Sequence, residues 1–268
     1  MERTTHRPTE RVLNILELLA AHPEGLTLTG IAEAIKAPKS TIFPIIQTML
    51  DRRFIFLDKP TLKYTVGIAS FCVGASYSSN KNVLEFINNE IKYIVSEIEE
   101  TCQMGILDRG SVLYISKVDP DKKIDIRLIS HVGKRLPAYC TALGKALLYQ
   151  FDLEDLKLLY PEGLKAYTKN TITNLEILAQ QLNQVKEDNI AQEVEEVTEH
   201  LRCLAVPLSN NGETVAALSI SIPTFRATEE KLNLAKSLLL SAKKKIETYF
   251  AAVNIDVESL TFKNELYR

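Results

Sequence analysis

The chain of 268 residues is long enough for one large domain or two ordinary ones, and we expect two. Hydrophobic residues make up 46% of it and charged residues 25%, with 10 glycines and 10 prolines, which excludes collagen-like, low-complexity and wholly disordered proteins. No apolar run approaches the ~20 residues of a membrane span, and residues 1–10 are too polar for a secretory signal. These features predict a soluble, cytoplasmic protein without a membrane partner.

The four cysteines, Cys72, Cys102, Cys140 and Cys203, are far apart in the sequence. No CxxC pair offers a zinc or redox site, and disulfides are rare in the cytosol. We therefore expect buried thiols, and neither a metal site nor a cofactor.

Short helices are predicted in the first part of the chain. In residues 9–21 (TERVLNILELLAA) the apolar side chains fall on one helical face, and Thr9 is a candidate N-cap. Residues 26–35 (LTLTGIAEAI) predict a second helix, capped by Thr27 or Thr29. A third helical pattern begins in KSTIFPIIQTMLDRRF.

A tight break separates the second and third predicted helices. The run Lys36-Ala37-Pro38 ends one helix, and Lys39, Ser40 and Thr41 open the next with an ammonium group and two hydroxyls. First-turn N–H groups, hydroxyls and a cation can contact phosphates and base edges in the major groove of DNA. The pattern is typical of a helix-turn-helix whose recognition helix begins at this turn.

Two strand-like runs follow, FIFLD and LKYTVG, around the turn Lys59-Pro60-Thr61. They predict a hairpin beside the helices, so residues 1–67 are interpreted as a winged helix-turn-helix domain. A three-helix protein-interaction module that binds no nucleic acid is the alternative. The side chains expected to contact a double-stranded DNA operator are Arg11, Lys39, Ser40, Thr41, Phe43, Gln47 and Lys63.

Charge is distributed unevenly along the chain, although the net charge is only -2. Residues 1–66 hold nine Lys and Arg against seven Asp and Glu, and the remainder has an acidic excess. A mild basic excess is compatible with a DNA-facing surface, but an ordinary solvated surface gives the same balance.

Residues 68–82 are predicted to be a linker, with a hinge at residues 77–82 in SYSSNKN. Residues 83–100 (VLEFINNEIKYIVSEIEE) form a clear amphipathic pattern and predict a connecting helix. A stiff helix of this kind suits the transmission of a signal between two domains.

Strands and helices intermix in residues 83–252, which predicts a second domain of the α+β class. Hairpins are expected around Asp108-Arg109-Gly110-Ser111 and around Asn211-Gly212, and one more strand in DIRLIS. Helical periodicity covers residues 142–151, 153–159, 175–188 and 229–253. The tail, residues 253–268, is expected to be disordered or to pack on a neighbouring subunit.

A loop that leads into a predicted helix offers an anion site. In GKRLPAYCTALGKALL, Thr141 is the expected N-cap, and the N–H groups of Ala142, Leu143 and Gly144 would meet a carboxylate. A capped helix that packs on the sheet without a ligand is the alternative.

Signs of catalysis are weak. GKRLPAYCTALGKALL is not a P-loop, because Gly133 and Gly144 are far apart and no hydroxyl follows Lys145. No GxSxG, HExxH or GxGxxG motif is present. His200 and Cys203 could share a helix face as base and nucleophile, but such a spacing is far more often coincidence. We expect no catalytic residue and no enzymatic activity.

The runs RVLNILELL, LTLTGIAEAI, PKSTIFPIIQTML and YTVG resemble the DNA-binding domain of the IclR family of bacterial transcriptional regulators. The resemblance extends over nearly the whole chain. It implies an α+β protein of two domains, a winged helix-turn-helix joined by a linker helix to a GAF-like α/β effector-binding domain.

Two positions of the first domain depart from the family pattern. Lys36 stands where the family usually has a glycine in the turn, and Pro44 where it usually has an arginine in the recognition helix. A proline removes one helical hydrogen bond and costs about 3 kcal/mol in a helix interior. The third helix is therefore expected either to start later than Pro38 or to bend.

The second half matches two further family runs. GKRLPAYCTALGKALL resembles the effector-pocket signature, and NIAQEVEEVTEHLRCLAVPL resembles a run with paired glutamates, here Glu195-Glu196, and a later cysteine. Asn189 and His200 stand where the family has glycines, Ile190 where it has a tyrosine, and Glu193 where it has an aspartate.

The resemblance implies which side chains surround a small effector. Ser219 and Ser221 in ALSISIP are two apart on a predicted strand and hence on one face. The expected effector-binding residues are Thr141, Ala142, Leu143, Gly144, Glu193, Cys203, Ser219 and Ser221.

Together these observations predict a ligand-responsive transcriptional regulator that binds a palindromic operator as a homodimer or tetramer. A repressor is expected, since relief of repression by a ligand is the commoner behaviour in the family. Donors for a carboxylate and acceptors for hydroxyls favour a small carboxylic acid effector, such as a sugar acid or a keto acid. The alternatives are a sensor module that acts through protein partners and an activator that responds to an aromatic acid.

Overall fold

The structure of the protein, a computed structural model, describes residues 6–75, 81–121 and 129–253. The chain divides into two compact units, residues 1–79 and 80–268. The division falls within the expected linker, residues 68–82, and the domain boundaries stay a prediction. Within the described ranges, no helix combines the length and the apolar composition that crossing a membrane requires.

The first unit contains the predicted winged helix-turn-helix. In its described part the elements are α1 (Arg7–Ala20), β1 (Leu26–Thr27), α2 (Leu28–Ala34), α3 (Lys39–Asp51), β2 (Ile55–Asp58), β3 (Lys63–Val66) and α4 (Ile68–Ala75). The strands form an antiparallel sheet in the order β1-β3-β2, so that the β2–β3 hairpin is the wing. α4 follows the hairpin directly and occupies part of the segment expected to be a linker.

Two details at the helix N-termini follow from local chemistry. α1 begins at Arg7 rather than after a Thr9 cap, and Pro8 lies in its first turn, where a missing N–H costs nothing. Thr27 is the residue that caps α2, since its Oγ1 accepts the N–H of Gly30 at 3.2 Å.

Apolar side chains from α1, α2 and α3 fill the core of the first unit. Ile15, Leu19, Ile31, Ile42 and Ile46 are buried. Spacings of four residues in α1 and α3 place each pair on one helical face, as the sequence pattern predicts. Burying one such side chain contributes about 1.5–3 kcal/mol. These contacts hold α3 against the other helices and decide which of its faces remains exposed.

The second unit is built on an antiparallel sheet with the strand order β6-β5-β4-β9-β8-β7 in its described part. In chain order, its elements are α5 (Lys81–Ile98), β4 (Thr101–Asp108), β5 (Ser111–Val118), β6 (Arg135–Pro137), α6 (Ala142–Leu148), α7 (Leu153–Leu159), α8 (Leu175–Asp188), β7 (Ala191–Val194), β8 (Leu201–Asn210), β9 (Glu213–Pro223) and α9 (Glu229–Val253). Both predicted hairpins, β4–β5 and β8–β9, are confirmed.

Most differences from the predicted elements are small. α7, α8 and α9 have the predicted bounds, whereas α6 ends at Leu148 rather than at Phe151. β6 and β7 are too short to give a sequence pattern and were not predicted. In DIRLIS, Ile129 and Ser130 belong to no strand, and the other four residues lie outside the described ones. Most of the expected hinge at residues 77–82 and the tail after Val253 also lie outside them.

Helices cover both faces of the sheet. α5 and α9 pack on one face, which Leu204 and Ile220 share. α6 and α8 pack on the other, beside Cys203 and Ala205. Because neighbouring side chains of a strand alternate between the two faces, the expected effector residues of β8 and β9 lie on the face that α6 covers.

Candidate functional site

One face of α3 is exposed in the first unit. Lys39, Ser40 and Gln47 are exposed, Thr41 is half-buried, and Phe43 is 47% exposed. The opposite face anchors the helix in the core. The structure therefore brings these five expected DNA-binding residues together on one helix, and we term them the α3 surface.

The other two residues expected to face DNA lie on different elements of the same unit. Arg11 is half-buried in α1, and Lys63 is half-buried at the first position of β3, beside the tip of the wing. In that tip the hydroxyl of Thr61 donates to the carboxylate of Asp58. Neither basic residue belongs to α3. Arg11 could contact a duplex from α1, and Lys63 could contact it from the wing.

Lys36, in the turn between α2 and α3, has a backbone φ of 51°. This is the left-handed region, which glycine adopts readily because it has no Cβ. The turn is held by hydrogen bonds from the N–H of Lys36 to the carbonyl of Glu33 and from the N–H of Ala37 to the carbonyl of Ala32. The departure from the family glycine thus places a lysine in a strained conformation.

Pro44 lies inside α3, which begins directly after Pro38 and continues to Asp51. Because proline has no N–H, the carbonyl of Ser40 loses its helical partner. The hydroxyl of Thr48 donates to the carbonyl of Pro44 at 2.9 Å. The helix therefore starts directly after Pro38 and no later. An internal proline and a threonine hydroxyl that bonds to the carbonyl four residues earlier are both associated with helix bending.

Polar side chains from adjacent strands form two rows on the face of the sheet that α6 covers. Glu193 of β7 pairs with Cys203 of β8, which pairs with Ser221 of β9. In the next row, Gln103 of β4 pairs with Ser219 of β9. Cross-strand partners have Cβ atoms about 5 Å apart. The strand register therefore gathers residues that are distant in the sequence.

These side chains line a cavity of about 30 Å³ in the second unit, which we term the α6 cavity. The space corresponds to about two or three water molecules. All the expected effector-binding residues except Gly144 line it: Thr141, Ala142, Leu143, Glu193, Cys203, Ser219 and Ser221.

Gly144 has a packing role instead. A Cβ at this position would lie 2.0 Å from the carbonyl oxygen of Ala138, so no side chain fits. Its N–H donates to Oγ1 of Thr141 at 3.0 Å, which makes Thr141 the N-cap that the sequence predicts. The N–H of Gly144 therefore serves the cap, and the glycine allows α6 to pack on the turn before it.

Sequence reasoning missed several residues of the cavity lining. They come from the strands and from the surrounding loops: Gln103, Tyr114, Ile129, Ser130, Leu136, Val197, Thr198 and Leu201. For Gln103 a signal existed, since it is a polar residue inside the buried strand β4. The loop residues gave no signal, because tertiary structure alone brings them to the cavity.

Glu193 is the ionisable carboxyl group among the described residues that line the cavity. Its side chain is buried, and this burial raises its pKa to about 7. The N–H of Glu196, which donates to Oε2 of Glu193 at 2.9 Å, and the thiol of Cys203 act in the opposite direction. A carboxyl group with a raised pKa of this kind holds its proton more readily than an exposed one, and in the protonated form it can donate a hydrogen bond to an anion.

Cys203 and His200 do not form a nucleophile–base pair. Cys203 lies in β8, with its Sγ 3.3 Å from Oγ of Ser221, and burial raises the pKa of the thiol well above its ordinary value. The reactive thiolate form is therefore disfavoured. The side chain of His200 is 75% exposed, and its Nδ1 lies 3.9 Å from the carboxylate of Glu195.

A winged helix-turn-helix with an exposed helix face, followed by an α+β unit with a cavity lined in part by polar side chains, defines a class of protein: a transcriptional regulator with a DNA-binding domain and an effector domain. The chain belongs to the IclR family of bacterial transcriptional regulators. Residues 8–58 match the IclR helix-turn-helix domain, and residues 75–248 match the family described as "Bacterial transcriptional regulator IclR C-terminal".

Similar proteins cover most of the chain. The HTH-type transcriptional regulator KdgR of Escherichia coli (strain K12) is 34% identical over 239 residues, which cover 88% of this chain and 89% of that protein. The transcriptional repressor IclR of the same strain is 29% identical over 240 residues, covering 88% and 87%. The crystal structure of an IclR transcriptional regulator from Alicyclobacillus acidocaldarius has a TM-score of 0.82 at 25% identity and covers 91% of this chain and 99% of that one.

Proposed function

We propose that the protein is a repressor that binds a palindromic operator through the α3 surface and releases it when a small carboxylic acid occupies the α6 cavity. The observation that carries DNA binding is the exposed first turn of α3, where Lys39 and Ser40 project from a helix whose other face is buried. Residues 1–67 would be the DNA-binding domain and residues 83–252 the effector domain, and the protein would have no enzymatic activity.

The groups on the α3 surface suit contact with a duplex. The ammonium group of Lys39 can neutralise a phosphate, and the hydroxyls of Ser40 and Thr41 can bond to phosphate oxygens or base edges. Gln47 can read an adenine, and Phe43 can contact a thymine methyl group. Further phosphate contacts would come from Arg11 and Lys63.

A palindromic operator requires two copies of α3. Recognition helices on the two half-sites lie about 34 Å apart, which is one turn of the duplex, or a multiple of that distance, and the palindrome mirrors the two-fold symmetry of a dimer. We therefore propose a homodimer, or a tetramer of two dimers, that acts in the cytoplasm, where bacterial DNA lies. The effector shifts the operator equilibrium only by its differential affinity for the two arrangements, typically about 1–3 kcal/mol.

The lining of the α6 cavity supports a small acid as the effector. No lysine or arginine is among its described lining residues, and several of these residues carry groups that can donate a hydrogen bond to a carboxylate. Donors are available in the hydroxyl of Ser219 and in the protonated form of Glu193. The volume of about 30 Å³ suits the smallest members of this class, such as a hydroxy or keto acid of about three carbon atoms.

Repression, rather than activation, is supported by the similarity to a protein named as a transcriptional repressor, IclR of Escherichia coli. The sign of control is tested together with DNA binding. A gel-shift experiment uses a palindromic fragment from upstream of the gene for this protein, with unrelated competitor DNA. We expect sequence-specific retention that a cognate acid abolishes.

Other outcomes of this experiment would contradict the proposal. Weak binding that moderate salt erases would favour a sensor that acts through protein partners. Retention that the acid strengthens would favour an activator.

The effector site is tested by removing hydroxyls from the cavity. Ser219→Ala combined with Ser221→Ala should abolish the thermal stabilisation by a small acid while leaving operator binding intact. The matched control is Ser96→Ala with Ser209→Ala, because neither serine lines the α6 cavity. A cavity variant that responds at wild-type acid concentrations would show that the effector binds elsewhere.

A further inference from the structure

We propose that Gln103 makes the α6 cavity selective for acids that carry a hydroxyl group, because its side-chain oxygen accepts a hydrogen bond from that hydroxyl. This inference rests on the proposed function, in which the α6 cavity is the effector site. It adds the residue that distinguishes a hydroxy acid from an oxo acid or from an acid with neither group.

The first observation is the unsatisfied oxygen of Gln103. The residue lines the cavity and is only 3% exposed. No residue that the structure describes pairs with its Oε1, although a buried amide oxygen ordinarily has a partner. An acceptor without a partner, on a residue of the cavity lining, is suited to a donor on the ligand.

The second observation is the orientation of the amide group. Nε2 of Gln103 donates to Oγ of Ser221 at 3.0 Å, and Oγ of Ser221 lies 3.3 Å from Sγ of Cys203. The thiol of Cys203 in turn stabilises the charged form of Glu193. When each group donates to the next, the hydrogen-bond chain runs from Gln103 through Ser221 and Cys203 to Glu193. One N–H of the amide group is then occupied, and the amide oxygen has no partner among the described residues.

The unpaired oxygen of Gln103 should interact differently with three kinds of acid. A hydroxyl group supplies the missing donor. A methylene group leaves Oε1 buried without a partner, and an oxo group places a second acceptor against it. Sites that bind a substrate hydroxyl reject analogues that lack it, because their own polar groups then remain unpaired.

The test uses three-carbon acids that differ in one substituent: each enantiomer of lactate, 3-hydroxypropionate, propionate and pyruvate. Isothermal titration calorimetry on the full chain measures the Kd of each acid. We expect at least one hydroxy acid to bind about three- to tenfold more tightly than propionate, the size of one neutral hydrogen bond. Pyruvate should bind no better than propionate.

The variant Gln103→Met keeps the length of the side chain but removes the acceptor. It should lose the preference for the hydroxy acid, so that the ratio of the Kd of propionate to the Kd of the hydroxy acid falls to about one. Gln192→Met is the matched control, since Gln192 is exposed on β7 of the same sheet, where its Oε1 accepts from Arg202. This control should keep the preference.

The outcomes separate the inference from the proposed function. Equal affinity of the wild type for lactate, 3-hydroxypropionate and propionate would overturn the role of Gln103 and leave the acid site intact. Tighter binding of pyruvate would also overturn it, because the cavity would then present the amide N–H. If no acid binds, both the inference and the proposed effector class fail, whereas loss of operator binding bears on the proposed function alone.

Discussion

The ammonium group of Lys145 contacts the carboxylate of Glu196, and both side chains are buried, with exposed fractions of 1% and 7%. Lys145 belongs to α6, and Glu196 donates its backbone N–H to Glu193. The ion pair therefore connects the helix at the cavity to the segment that positions the cavity carboxyl. No residue in the described part of the chain bonds to the second oxygen of Glu196, Oε2.

Removal of one partner of this pair should destabilise the protein strongly. Lys145→Met leaves an uncompensated buried carboxylate, so the free energy of unfolding should fall by about 3–5 kcal/mol. Urea denaturation followed by circular dichroism measures the change, and adding Glu196→Gln should restore part of the loss. Lys157→Met, at the exposed pair with Glu154, is the control and should have no measurable effect. Equal stabilities of the two lysine variants would contradict a structural role for the buried pair.

Lys36→Gly should stabilise the first unit. Lysine at a φ of 51° is strained. Glycine removes the strain energy, and this gain exceeds the free-energy cost of glycine's greater chain entropy in the unfolded state by about 0.5–1 kcal/mol. The thermal unfolding temperature should rise. Lys36→Ala removes the same charge without relieving the strain, and it should give no increase. If alanine stabilises as much as glycine, charge rather than backbone conformation limits stability at this turn.

Pro44→Ala should restore the helical hydrogen bond to the carbonyl of Ser40. Stability is expected to rise by up to about 3 kcal/mol, as measured by chemical denaturation. Pro38→Ala is the matched control, because Pro38 precedes the first helical residue and its missing N–H has no helical partner. It should not stabilise. The prediction fails if Pro44→Ala is no more stable than Pro38→Ala.

The double variant Lys39→Ala with Thr41→Ala should weaken operator binding by about tenfold or more. Loss of one phosphate contact should also reduce the slope of log affinity against log salt by about 0.9. Acid-induced thermal stabilisation should remain. The control, Lys157→Ala with Thr248→Ala, changes exposed residues of the second unit and should retain full affinity. Unchanged operator binding by the first variant would remove α3 as the recognition helix.

The raised pKa of Glu193 should make the stability of the folded protein depend on pH. Its pKa is about 7 in the folded protein against 4.5 as the ordinary value, so the folded state binds the proton more tightly. The free energy of unfolding should therefore fall as the pH rises from about 4.5 to about 7, by about 3 kcal/mol at most. Glu193→Gln removes this contribution.

The measurement is the unfolding temperature of the wild type and Glu193→Gln between about pH 5 and pH 8. The variant should gain stability relative to the wild type as the pH rises. Glu199→Gln, at an exposed position, should follow the wild type throughout. A constant difference between Glu193→Gln and the wild type would show that the carboxyl group ionises normally.

The bounds of α7 and α8 could be predicted because they depend on neighbouring residues. Asp152 and Asn174 cap these helices through side chains that accept N–H groups three residues later, and Asn189 ends α8 at a φ of 56°. The family resemblance also identified unusual backbone positions. Lys36, Asn189 and His200 all replace family glycines, and all three have a positive φ.

The effector-site residues named from the sequence came from the resemblance and share one cavity. The resemblance did not predict the role of Gln103 or the burial of Lys145, because no local sequence pattern reveals the partner of either side chain. Gln103 meets Ser221 because β4 and β9 pair, and Lys145 meets Glu196 because α6 packs on the sheet beside β7. Local propensity fixes helices, turns and alternating faces over a few residues. Contacts between distant segments depend on strand register and helix packing, which arise only when the whole domain folds.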